Sequence, residues 1–85
     1  MNIVVGDLLT IEGEKYITLE MVNYNGNEYA FVNKMTEAEE ATDEFYIFEI
    51  LDDSISIVTD DSLKDILILK FQDLLQKDIV KIMQE

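Results

Sequence analysis

Carboxylates are the groups in this chain best supplied for chemistry. Asp52-Asp53 and Asp60-Asp61 form two pairs, and Glu37, Glu39, Glu40, Asp43 and Glu44 crowd one short segment. Two carboxylates about 5–10 Å apart serve glycoside hydrolysis, but that reaction needs a substrate cleft, and a chain this short offers little concavity. The aspartate pairs suggest calcium, yet they lack the alternating Asp/Asn positions, mid-loop Gly and terminal Glu of an EF-hand loop. His, Cys and Arg are absent, which removes the usual general base, the thiolate nucleophile and the commonest metal ligands. Gly6, Gly13 and Gly26 stand alone, so there is no phosphate-cradling loop. The expectation is a protein that is not an enzyme and holds neither a cofactor nor a metal.

The same carboxylates dominate the electrostatics. Nineteen Asp and Glu face six Lys, for a net charge of −13. Direct nucleic-acid binding is disfavoured, because phosphate contacts need many basic side chains. Anionic membrane surfaces are disfavoured for the same reason. The charge is also unevenly placed. Residues 1–61 carry 15 acids and 2 Lys, whereas residues 62–85 carry 4 of each. From Met35 to Ser62 there are ten acids and no base. Such a field can simply keep a small protein dissolved. It can also steer the protein onto a basic surface of a partner protein, or imitate a phosphate backbone inside a nucleic-acid-binding cleft.

Eighty-five residues make one domain (1–85), able to bury about 60–65% of the surface of its unfolded chain. No N-terminal segment reads as a signal peptide and no apolar run approaches the roughly 20 residues of a membrane span. A cytoplasmic protein is the expectation.

The elements that must carry the acids read by period. Residues 3–58 alternate with period two, and residues 60–84 follow a helical period. The expected fold is α+β: an antiparallel meander of about five strands (1–58) with one long C-terminal amphipathic helix (60–84) packed on the sheet. The first strand is expected over Ile3–Ile11, bent at Gly6, and the second over Lys15–Tyr24. Asn25-Gly26 predicts a two-residue type I′ hairpin, since both positions require positive φ. That turn sets Tyr24 opposite Asn27, Met21 opposite Ala30 and Leu19 opposite Val32. One face then reads Ile17, Leu19, Met21, Ala30, Val32, and the helix is expected to lie across it. The other face carries Tyr16, Thr18, Glu20, Val22, Tyr24, Tyr29, Phe31 and Asn33. It reads either as the second face of a curled sheet or as a partner-binding face built on Tyr24, Tyr29 and Phe31.

Thr36–Glu44 reads as an acidic loop or a single helical turn. Phe45–Leu51 reads as a central strand, being apolar on both faces, and Ile55–Val58 as a short last strand. The helical stripe runs Leu63, Ile66, Leu67, Phe71, Leu74, Leu75, Ile79, Ile82, Met83, with Ile68, Leu69 and Val80 off it. Twenty-four helical residues span roughly 36 Å, against roughly 24 Å for five strands. Either the helix breaks near Gln76-Lys77-Asp78 or its end projects, leaving Ile79, Val80, Ile82 and Met83 to be covered by a partner, by a second copy in a homodimer, or by folding back over an open end of the same sheet.

Asn25-Gly26-Asn27-Glu28-Tyr29-Ala30-Phe31-Val32 resembles the "dG-x-EYAvL" hairpin of the YrzB-like family, and Phe45-Tyr46-Ile47-Phe48-Glu49-Ile50 resembles its "-YIFrV-" strand. Asp60-Asp61 and the helix through Leu74-Leu75 are similar to the end of that family's pattern. The resemblance covers about residues 16–75. It implies a small acidic cytosolic protein of Gram-positive bacteria with no assigned activity, and it implies no site residues. Gln76–Glu85 extends past the family's usual end, and the first strand lacks its very acidic character.

Overall fold

The computed structural model describes the backbone of residues 2–83 and the side chains of residues 2–77. Five strands, β1 (Leu8–Ile11), β2 (Glu14–Tyr24), β3 (Asn27–Met35), β4 (Ala41–Ile50) and β5 (Ile55–Ile57), precede one helix, α1 (Asp61–Met83). All neighbours in the sheet are antiparallel and the strand order follows the chain. The architecture is the α+β meander that the periods predict.

Two tight turns set the register. Asn25 and Gly26 have φ of 53° and 81°, and Tyr24, Val22 and Met21 pair with Asn27, Tyr29 and Ala30 as expected. Glu12 and Gly13 form a similar positive-φ pair and close β1 onto β2 with Ile11 opposite Glu14. The hairpin register then slips between Glu20 and Thr18, so that Thr18, not Leu19, faces Val32. A β-bulge inserts one residue on one strand and turns the following side chains to the other face. Tyr16 and Thr18 therefore join Met21, Ala30 and Val32, and the expected Ile17–Leu19 continuation of that face is corrected.

This first face buries Ile3, Tyr16, Ala30, Val32, Phe48 and Ile50, with Leu9, Ile11, Met21, Tyr46 and Ile55 packed against them. Leu9 lies in β1 and Ile55 in β5, strands that four spacings, about 19 Å, would separate in a flat sheet. Their packing on one cluster requires the sheet to curl around it. Small Ala30 and Val32, both fully buried, leave room at the centre, and the rings of Tyr16 and Phe48 meet edge to face at 5.0 Å across β3. Ile3 reaches the cluster from outside β1. The chain turns at Gly6 (φ 94°), and two backbone hydrogen bonds tie Gly6 and Asp7 to Thr18. The first strand is accordingly shorter than Ile3–Ile11.

The helix packs on the opposite face. Leu67 and Phe71 bury themselves against Tyr29, Ile47 and Val58, flanked by Val22, Tyr24, Phe31 and Leu63. The expectation that α1 covers the Met21–Ala30–Val32 face is thus corrected: a curled sheet covers that face itself, and the aromatic face is the one left for the helix. Asp60 starts α1 by accepting the Leu63 N–H at 2.8 Å, the usual N-cap bond. The helix runs unbroken past Gln76 to Met83.

β4 begins at Ala41, inside the segment expected to be loop. Only Thr36–Glu40 connects β3 to β4, closed by Thr36 N–H to Glu40 O and Glu40 N–H to Thr36 Oγ1, with Glu39 at positive φ. A second irregularity follows, since Asn33 pairs with Phe45 but Met35 with Ala41. β4 thus holds extra residues at Thr42–Glu44. Buried Asn33 fills the gap by donating from Nδ2 to the carbonyls of Thr42 (2.8 Å) and Glu44 (3.0 Å).

Thr18 is 1% exposed and its hydroxyl finds no hydrogen-bond partner among the described residues. An unpaired buried hydroxyl costs about 1–3 kcal/mol. Thr18→Val, of the same shape, is expected to raise stability by roughly 1 kcal/mol. A urea melt with a lower midpoint for the variant would contradict this.

Candidate functional site

The acidic residues singled out in the sequence are exposed, but they form two groups. Glu37, Glu39 and Glu40 lie in the β3–β4 loop, with Asp43 and Glu44 at the bulged start of β4. Asp52 and Asp53 lie in the β4–β5 turn, beyond the other end of β4. Ten extended residues span about 30 Å, so the structure does not bring the groups together. Because Val58 pairs back onto Ile47, the chain returns along β4, and Asp60 and Asp61 come toward the first group.

Both lysines of the sheet are engaged. Lys34 Nζ lies 3.6 Å from Glu14 and 3.9 Å from Glu44, and Lys15 Nζ donates to the Glu37 carbonyl at 3.1 Å. The Glu14 carboxylate, and after it Glu44, raises the Lys34 pKa above its ordinary 10.5. Glu44 also raises the Tyr46 pKa above 10.0, and the Tyr46 hydroxyl donates to it at 3.2 Å. Both groups hold their protons more tightly when folded. Any stability they contribute is present below pH 10 and is lost as pH rises through the raised values. Glu44→Gln is expected to lower both pKa values, read for Tyr46 by tyrosinate absorbance. An unmoved titration would contradict the assignment.

Tyr24, Tyr29 and Phe31 do not form an open binding face. Tyr29 is 3% exposed beneath the helix. Phe31 stacks between Phe45 (5.5 Å) and Phe71 (5.3 Å). The Lys70 ammonium sits 5.3 Å over the Tyr24 ring. The chain's own helix takes the role assigned to a partner. The side chains of Ile79, Val80, Ile82 and Met83 lie outside the described residues.

A different apolar surface stays open. The helix crosses the sheet without covering the β4–β5 border, and a groove of about 520 Å³ remains there. Its lining includes Phe31, Ile47 and Val58, with Phe45, Ile57 and Ile68 at half exposure. Thr59 and Lys64 also line it, and Lys64 is drawn toward Asp61 at 3.9 Å. Among the described residues no carboxylate lines this groove. Among the described residues no three Asp or Glu side chains converge as metal ligands, and no helix is long and apolar enough to cross a membrane.

Sequence reasoning gave a binding role to none of the groove residues except Phe31. Two signals pointed to them: Ile68 falls off the helical stripe, and Phe45–Ile50 is apolar on both faces. A side chain off the stripe has no place on the sheet beneath and must border something else.

No family model matches the chain, and no curated protein or solved structure matches it either. The likeness to the YrzB-like family therefore rests on the quoted residues alone.

Proposed function

We propose that this chain is a non-catalytic, acidic protein-binding module of the cytoplasm that docks on a basic surface of a partner protein. The observation that carries this reading is the excess of carboxylates at one end of the sheet, where five acids meet a single ion pair, Glu44 with Lys34. Glu37, Glu39, Glu40, Asp43 and Glu44 are all exposed, while the two lysines of the strands are tied into local contacts. A potential of one sign on one end of a small body speeds encounter with the opposite sign and does so most at low salt. The narrowest form of the reading is an inhibitor of phage type that occupies a nucleic-acid-binding cleft. In that form the exposed carboxylates stand in for the phosphates of a nucleic acid. The alternative, a homo-oligomer joined through the helix end, must overcome a charge of −13 on each copy.

The test is salt-stepped capture of a partner followed by binding kinetics. Association is expected to slow by about tenfold or more between about 50 mM and about 500 mM salt. A variant carrying Glu37→Gln, Glu39→Gln, Glu40→Gln, Asp43→Asn and Glu44→Gln is expected to lose that dependence. Binding indifferent to salt and to these changes would overturn the reading.

A further inference from the structure

β5 is an edge of the sheet. Val58 N–H donates to Ile47 O at 2.9 Å, and Ile57, Ser56 and Ile55 lie opposite Phe48, Glu49 and Ile50. In an antiparallel ladder successive residues turn their peptide groups alternately toward and away from the neighbour. With Val58 turned toward β4, the N–H and C=O of Ile57 and Ile55 point outward. Such an edge is a template for another strand. Beside it lies the apolar groove, flanked by Phe45, 52% exposed, and Ile68, while the Ile57 side chain, opposite Phe48, turns to the other face of the sheet. The sequence around β5 reads Asp52-Asp53-Ser54-Ile55-Ser56-Ile57-Val58-Thr59-Asp60-Asp61, so an aspartate pair stands at each end of the edge.

These observations together name an occupant. Resting on the basic-partner reading above, we infer that β5 and its groove take an extended segment of the partner by strand addition. That segment has Lys or Arg at both ends and alternating apolar residues between them. One strand face supplies an apolar side chain to the groove between Phe45 and Ile68, and the main chain pairs with the edge, the mode in which backbone bonds give affinity and alternate side chains give specificity. Asp53 and Asp60 are seven positions apart, about 23 Å when extended, which sets the spacing of the basic ends. A second copy is disfavoured by the same geometry. Two-fold antiparallel pairing of β5 with itself would set Asp52-Asp53 of one chain beside Asp60-Asp61 of the other, and like charges placed so are repulsive. The aspartates reject the chain's own edge and accept a basic one.

The test uses the full chain labelled with ¹⁵N and the synthetic peptide acetyl-KKVTFTVKK-amide. Saturable binding is expected, with amide shifts concentrated at residues 55–59, Phe45 and Ile68. N-methylation of alternate peptide bonds keeps charge and side chains but blocks strand pairing. Replacing the central Phe of the peptide by Ser keeps charge and backbone. Each is expected to weaken binding by about tenfold or more, as is Ile68→Ala in the protein, a half-exposed position whose variant keeps its dispersed spectrum. If all the peptides bind alike, with shifts spread over residues 37–44, the strand-addition site is overturned while the charge reading stands. If none binds even at low salt, both fall, and the aspartates serve only to guard an edge.

Discussion

A Phe71→Ala chain is expected to lose about 3–5 kcal/mol of stability, the usual cost of truncating a buried aromatic to Ala. Phe71 is 2% exposed, stacks on Phe31 at 5.3 Å and shares a cluster with Tyr29, Ile47, Val58 and Leu67. Removing its ring empties the joint between helix and sheet. At about 0.05–0.15 kcal/mol per residue, an 85-residue domain has roughly 4–13 kcal/mol in all. The loss is therefore comparable with the whole, and a large unfolded fraction at 37 °C is expected. The experiment is urea denaturation followed by circular dichroism and by tyrosine fluorescence. One transition, shifted strongly downward in both signals, is the predicted outcome. If the sheet kept its midpoint while only helical signal was lost, α1 would be an appendage and not half of the core.

The second large effect is expected at Asn33. Its side-chain amide replaces the backbone donors that the extra residues of β4 take out of register. Asn33→Ala leaves two carbonyls without that donor, at about 1–3 kcal/mol each when buried, so a loss of about 2–4 kcal/mol is expected. Asn33→Asp is the sharper variant. It keeps the shape but turns a charged acceptor toward two carbonyl oxygens at 4% exposure, and is expected to cost more than the alanine. Thr42→Val provides a comparison, since Thr42 Oγ1 donates to Lys34 O at 2.6 Å and accepts from Glu44 N–H. It is expected to be milder than Asn33→Asp, because Thr42 is only half-buried. If Asn33→Asp proved no worse than Asn33→Ala under chemical denaturation, the donor role of the amide would be wrong. The bulge has a consequence for the surface as well, since it sets Asp43 and Glu44 in the exposed, irregular start of β4.

The strand order and the helix were legible in the sequence because their signals are local. Asn25-Gly26 specifies its turn through backbone sterics alone, and the pairs nearest to it follow. The bulge at Leu19 was not legible. An alternating apolar pattern runs through it as Ile17, Leu19, Met21, and only the tertiary demand that Tyr16 and Thr18 join the inner cluster breaks the alternation. The choice of sheet face was hidden for a related reason. Both faces are apolar, and what separates them is size: Ala30 and Val32 allow a curl, whereas Tyr29 and Phe31 offer rings for Leu67 and Phe71 to cover. The acidic start of β4 was misread as loop because Thr42, Asp43 and Glu44 are polar and out of register, a bulge that depends on Asn33, nine and eleven residues away from its two acceptors.

The candidate site followed the same division. The positions of the carboxylates were readable, since a dense run of acids has nowhere to go but the surface. Their separation into two groups was not, because it depends on β4 being long and on the chain turning back after Asp53. The groove depends on where the helix comes to rest. Lys64 and Ile68 flank its β4–β5 side while Lys70 reaches Tyr24 on β2, and nothing in the helix sequence fixes that position.

We hold that negative potential is concentrated around the β3–β4 loop and the two ends of β5, while the helix beyond Leu67 is close to neutral. This distribution is tested most directly by paramagnetic relaxation of backbone amides with a cationic and an anionic nitroxide of the same shape. Amides of residues 37–44, 52–54 and 59–61 are expected to be relaxed severalfold more by the cationic probe, and those of Gln72–Lys77 about equally by both, with the contrast fading as salt shortens the screening length below about 10 Å. A cation-to-anion ratio uniform over sheet and helix would contradict the claim.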